Sequence, residues 1–104
     1  MLISKDMRGN WQATSSKELG DNRRLNLRTS KNVNGDLVTS GSVCTTDGIW
    51  ETHRMYEDFS RVYERTQPKR VTAKVVEQQH LNHNLERIAL DAIEFYKEKQ
   101  DAKA

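Results

Sequence analysis

Apolar and polar residues alternate through the first half of the chain. Leu25 and Leu27 fall on one side of a strand, with Arg24 and Arg28 on the other. A period of two marks a half-buried strand. Asn34-Gly35 follows in "NVNGDL" and Asp47-Gly48 in "TTDGIW", two pairs that tolerate the positive φ of a tight hairpin turn. They predict an antiparallel meander with strands near Arg23–Lys31, Leu37–Thr45 and Ile49–Tyr56. "LGDN", Leu19 to Asn22, is placed to turn an earlier strand through Trp11 into the same sheet. "YEDFSRVYERTQP" fits two periods: Tyr56, Phe59 and Tyr63 at helical spacing, or Phe59, Arg61, Tyr63 and Arg65 as same-face strand neighbours. Val62, Tyr63 and Thr66 favour the strand.

From residue 72 the period changes to that of a helix. Thr72 is a capping residue, Val71 and Val76 stand at the two positions of a hydrophobic staple, and Pro68 breaks the element before. Leu81, Leu85, Ile88, Ala89, Ala92, Phe95 and Tyr96 share one side, with Val75 and Ile93 at its margin. The pattern as a whole predicts one α+β domain. Its strands span roughly residues 10–66, an antiparallel meander of about four, and a single long C-terminal helix spans roughly residues 72–99.

With 104 residues, 35% of them hydrophobic, and a mean hydropathy of −0.90, the core is thin. Pairing through the helix face of Leu85, Ile88, Ala92, Ile93 and Tyr96 would remove more apolar surface from water, so a homodimer is expected. One cysteine, Cys44, excludes an internal disulfide or a cysteine-built metal cage. No apolar run reaches the length of a membrane span, and "MLISKDMRGN" lacks the apolar stretch of a signal peptide; the expected location is cytoplasmic.

Glu77, His80 and His83 fall one helical turn apart, a spacing that also serves metal sites in helical bundles. On the wheel, however, both histidines lie with Asn84, Arg87, Asp91 and Glu94 on the polar face, and His53 is the one other imidazole. A solvated face, with no metal and no cofactor, is the expectation. The five glycines form no nucleotide-binding or nucleophile-elbow motif, and Glu57 and Asp58 would point to opposite faces of a strand. No enzymatic constellation is legible.

Aromatic and basic residues interleave. Trp50, Thr52, Arg54 and Tyr56 share one strand face, as do Phe59, Arg61, Tyr63 and Arg65, and Lys69, Arg70 and Lys74 follow. Between Arg61 and Lys74 there are five basic residues and one acid, Glu64. Rings that stack bases between cations that meet phosphates are the equipment of single-stranded nucleic-acid binding. The same face would also pack well beneath a helix, arginine stems included. In element order alone the chain resembles the Whirly-type single-stranded-DNA-binding fold, whose members pair through their helices. Its small, polar character resembles short accessory proteins of bacteria and phages. The sequence therefore leads to two expectations. One is a non-enzymatic accessory protein, of regulator or inhibitor type, acting on a protein partner. The other is a binder of single-stranded DNA or RNA through Arg54, Arg61, Tyr63, Arg65, Lys69, Arg70 and Lys74.

Overall fold

The computed structural model describes residues 1–46 and 54–102, with side chains described for residues 1–45 and 59–99. Five strands form one antiparallel sheet in chain order: β1 (Leu2–Lys5), β2 (Trp11–Gly20), β3 (Arg23–Lys31), β4 (Leu37–Thr46) and β5 (Arg54–Thr66). Two helices follow, α1 (Ala73–Leu81) and α2 (Leu85–Ala102), and pack on one face of the sheet. The α+β class holds, but the sheet has five strands where about four were expected, and two helices replace one. No helix among the described residues is long and apolar enough to cross a membrane.

Turn chemistry explains the meander. Asp6 opens the β1–β2 loop and Asn32 the β3–β4 loop, each as the first residue of a [Asp/Asn]-x-x-Gly stretch. In both loops that side chain accepts the backbone N–H groups two and four residues ahead, at 2.9 Å. Gly9 and Gly35 take φ of 80° and 87° to close them. Asn34-Gly35 is therefore not a two-residue turn; only its glycine is left-handed, in a longer loop organised by Asn32. Between β2 and β3, Asp21 and Asn22 themselves adopt φ of 52° and 60°. The Asp47-Gly48 turn, Trp50, Thr52 and His53 lie outside the described residues.

β1 escapes the sequence pattern because it is four residues long. β5 joins the described end of the expected third strand to the expected fourth. Its ambiguous stretch pairs with β4, with register shifts between Thr39/Ser40 and Ser42/Cys44. The first shift leaves Tyr63 without an opposite residue, and its ring packs over Gly41, where a Cβ would stand 3.1 Å from Tyr63 Cε2.

Two apolar clusters hold the layers together. Leu25, Leu27, Val43 and Phe59 meet Ile88, Ala89, Ala92 and Tyr96 of α2, while Ala13 and Leu37 meet Val76 of α1. The single apolar stripe thus serves two helices. The break falls at Asn82–Asn84, where the Asn84 side chain caps the start of α2. The Asn82 N–H bonds the carbonyls of Gln79 and His80, and Asn84 Oδ1 accepts from the N–H groups of Glu86 and Arg87 at 2.9 and 3.3 Å. Leu81, expected on the apolar side, is left exposed by this break, and Ile93 is 44% exposed. Ile88, Ala92 and Tyr96, expected to serve core or dimer contact, are buried against the sheet of their own chain, and Leu85 packs at the edge of that cluster.

Asn84→Ala removes the cap of α2 and should lower stability by about 1 kcal/mol, measured by urea denaturation, while Asn84→Asp retains most of it. Equal stability of the alanine variant and the parent would show that the break does not depend on this cap.

Candidate functional site

His80 is not on a solvated face. It is 3% exposed, beneath α1, and both ring nitrogens are engaged. Nε2 lies 2.7 Å from Ser15 Oγ on β2, and Nδ1 lies 2.9 Å from Thr29 Oγ1 on β3. Thr29 is 2.7 Å from Thr39 Oγ1 on β4. Gln79, the neighbour of His80, donates through Nε2 to the Leu37 carbonyl at 3.0 Å and to Thr39 Oγ1 at 3.1 Å, while its Oε1 accepts from Thr66 of β5. The helical wheel fails here because the sheet facing α1 carries hydroxyls: Ser15, Thr29 and Thr39 give a polar helix side something to bury against. Threonine alternation in the strands is a sequence signal of that side, but it specifies no partner.

The direction of the chain is fixed from one end. The Leu37 carbonyl can only accept, so the Gln79 amide nitrogen faces it and donates to Thr39. Thr39 then gives its hydroxyl proton to Thr29, Thr29 gives its own to His80 Nδ1, and His80 Nε2–H donates to Ser15. In this order the one hydroxyl proton left over belongs to Ser15, which is only half-buried and can reach solvent. The reverse order would instead strand the proton of Thr39, which is fully buried and has no other acceptor among the described hydrogen bonds. A serine beside a histidine invites comparison with a nucleophile and its base, but here the imidazole donates to Ser15 and is oriented by a neutral hydroxyl rather than a carboxylate. Burial, foremost, holds the His80 pKa below its ordinary 6.5, with the amino terminus and His83 adding to the effect.

His83, one turn on, is engaged elsewhere: its Nε2 is 2.8 Å from Glu64 Oε1. Next to it Tyr63 turns toward α2 and donates to Asp91 Oδ2 at 3.3 Å. Burial, first, and the Asp91 carboxylate hold the Tyr63 hydroxyl above its usual pKa of 10.0. The two histidines therefore have separate partners, and no group of three or more His, Cys, Asp or Glu among the described residues is placed to hold a metal ion.

The structure disperses the expected nucleic-acid residues. Phe59 is buried, and Tyr63 is half-buried under α2. Arg61 lies exposed with its guanidinium 4.9 Å from the Phe59 ring centre. Arg65 is on the opposite, uncovered face, where its register partner is Val38, and reaches Asp36 at 3.6 Å. Lys69 and Arg70 are exposed in the loop before α1, and Lys74 is exposed in its first turn. Arg54 opens β5, but its side chain, like that of Tyr56, lies outside the described residues.

What the sheet gathers instead is charge at one end. The β1–β2 loop, the β3–β4 loop and the β5–α1 connection all emerge there. With the adjoining parts of β1, β2, β3, β4, β5 and α1, residues 5–12, 28–37 and 65–74 carry Lys5, Arg8, Arg28, Lys31, Arg65, Lys69, Arg70 and Lys74, against two carboxylates, Asp6 and Asp36. The remaining residues hold nine cations and thirteen carboxylates. Asp6 is committed to the Arg8 and Asn10 N–H groups, and the Asn10 bond foremost holds its pKa below 3.8. Asp36 is buried, accepting from Gln67 at 3.0 Å. Arg8, Arg28, Lys31, Ser30 and Gln12 line an open groove of about 350 Å³. Gln12 fixes Arg28 through Oε1, at 3.2 Å to Nε and 2.9 Å to Nη2, and is itself held by a 3.3 Å bond to Ser4. Reading the chain linearly finds the Arg65–Lys74 half of this end and misses Arg8, Arg28 and Lys31, which only strand pairing brings to the same end. Comparison with family models, curated proteins and solved structures returns no match for this chain.

Because the folded state depresses the His80 pKa, the unfolded chain binds the extra proton more readily. Stability is fully present above about pH 6.5 and is lost as pH falls through and below it. Chemical denaturation across this range should show that slope in the parent chain, and His80→Gln should flatten it. A parent profile that is level or rises on acidification would contradict a neutral buried His80.

Proposed function

We propose that this chain is a non-enzymatic binding protein that docks its basic end on the phosphate backbone of nucleic acid. The observation that carries this reading is the collection of eight cations against two committed carboxylates on three connections and the strand and helix segments that adjoin them, in a chain whose net charge is only +2. Such an end attracts a polyanion and releases its counterions on contact. Phe59 and Tyr63 are turned inward, so the reading rests on phosphate contact rather than on base stacking at Tyr63, and it carries no sequence preference. Cytoplasmic residence belongs to the same proposal.

A second reading, a protein partner met as a regulator or inhibitor, is supported by a different surface. Leu90 and Ile93 stand one turn apart on α2 at 64% and 44% exposure, outside the stripe that covers the sheet. The expected homodimer would be the simplest form of that contact, with Glu94 and Lys97 at its rim.

Fluorescence anisotropy with labelled single- and double-stranded DNA and RNA across a salt series tests the first reading. Affinity should fall with salt, with a slope of roughly −0.9 per phosphate neutralised on duplex DNA and about −0.7 on single strands. Replacing Arg28 and Lys31 with Gln should flatten the slope, as should replacing Lys69 and Arg70, whereas Tyr63→Phe should leave binding unchanged. Absence of binding at low salt rejects the reading. A mass near 24 kDa by light scattering at high micromolar concentration, returning to 12.1 kDa in Leu90→Glu, would support the second.

A further inference from the structure

Among the described residues of the basic end, Arg28 is the one cation bonded to a neutral side-chain acceptor. It is exposed on β3, on the face away from the helices. Its register partners are Thr14 and Ser40, while its chain neighbours Leu27 and Thr29 are buried beneath α2 and α1. A guanidinium has two edges on which a pair of N–H groups can meet an oxyanion, Nε with Nη2 and Nη1 with Nη2. Gln12 Oε1 takes the first, at 3.2 Å from Nε and 2.9 Å from Nη2, and Gln12 is itself tied through Nε2 to Ser4 Oγ at 3.3 Å. No side chain among the described residues bonds Nη1, so the second edge is left to solvent. Arg8, Lys31 and Ser30 line the same groove, and its one carboxylate, Asp6, accepts the Arg8 and Asn10 N–H groups through Oδ1.

We propose that Arg28 is the anchor of the basic end: its Nη1–Nη2 edge takes one phosphodiester of the nucleic-acid backbone in a two-bond contact, and Gln12 is the positioning residue that presents it. This anchor presupposes the nucleic-acid reading above and adds the contact that sets where the backbone lies on the uncovered face of the sheet. The other cations of that end differ. Arg65 is paired with Asp36 at 3.6 Å. Lys5, Lys31, Lys69 and Lys74 carry ammonium groups, which attract a phosphate as point charges without fixing its orientation. Arg8 and Arg70 are exposed, and no side chain among the described residues bonds either guanidinium. A side chain that Gln12 already holds loses less rotamer freedom on binding than a free one does.

Fluorescence anisotropy of the full chain with short labelled single-stranded DNA, across a salt series, separates orientation from charge. Gln12→Met removes the acceptor and keeps the net charge, so affinity should fall about two- to tenfold with the salt slope unchanged. Arg28→Lys also keeps the charge and should weaken binding by a similar factor at unchanged slope, because an ammonium cannot present the two-bond edge. Arg28→Gln should flatten the slope by about 0.7, one phosphate on a single strand, and in that background Gln12→Met should have no further effect. A loss from Gln12→Met that persists in full in the Arg28→Gln background would mark a merely structural effect and overturn the proposal. Parental affinity in Gln12→Met or in Arg28→Lys would overturn it as well, with the nucleic-acid reading left standing. A parent chain that fails to bind at low salt would overturn that reading and the anchor together.

Discussion

The donor order that runs from Gln79 through Thr39, Thr29 and His80 to Ser15 is the constraint on which the helical layer depends. A buried polar group costs little when paired and much when orphaned, and here several are paired in one direction by a single backbone carbonyl. The network spans β2, β3, β4 and α1, and through Thr66 it reaches β5, so α1 cannot rotate or slide on the sheet without breaking several of these bonds at once. With α1 held there, Val76 meets Leu37 and Ala13, and the chain must bend at Asn82–Asn84 for α2 to lay Ile88, Ala89 and Ala92 over the second cluster.

Among the described residues, the helices cover one side of the sheet only. Its uncovered face reads in rows such as Thr14, Arg28, Ser40 and Val62, or Ser16, Asn26, Ser42 and Ser60, one residue from each of four neighbouring strands. Hydroxyls and amides dominate it, as expected of an antiparallel sheet with a solvated face. The meander also sorts charge along the strands. Its connections alternate between two ends, and the loops at one end are rich in Lys and Arg, while most of the acids, Glu64, Glu86 and Asp91 among them, lie elsewhere. Charge segregation is therefore a product of topology acting on a nearly neutral composition, and it gives a small polar protein a directed electrostatic surface.

The two histidines of α1 and its C-terminal turn show how a helical wheel can mislead. A wheel divides residues by polarity and assumes that the facing layer is apolar. His83 behaves nearly as that division implies, half-buried and bonded to Glu64 near the surface. His80 goes inside because the facing strands present three hydroxyls at the right depth, and a neutral imidazole can be satisfied by two of them. Tyr63 is the converse: strand alternation groups it with Arg65, but a register shift in β5 sends the two side chains to opposite faces, toward Asp91 and Asp36.

What the sequence determined by itself was local. Period-two alternation placed β3 and β4 close to their observed bounds, Leu19–Asn22 marked a true turn, Thr72 caps α1 as its position implies, accepting from the Val75 N–H at 3.2 Å, and the apolar stripe identified Ile88, Ala92 and Tyr96 as core. These follow from backbone propensity and from residues close along the chain, which act before any distant contact forms. The tertiary structure decided the rest: the fifth strand, too short to show a pattern; the helix break, where the Asn84 cap interrupts a continuous stripe; the burial of His80; and the placement of Arg8, Arg28 and Lys31 at the same end of the sheet as Lys69 and Arg70. Each of these depends on groups far apart in sequence satisfying one another's charge or hydrogen bonds, and such pairings have no period to read.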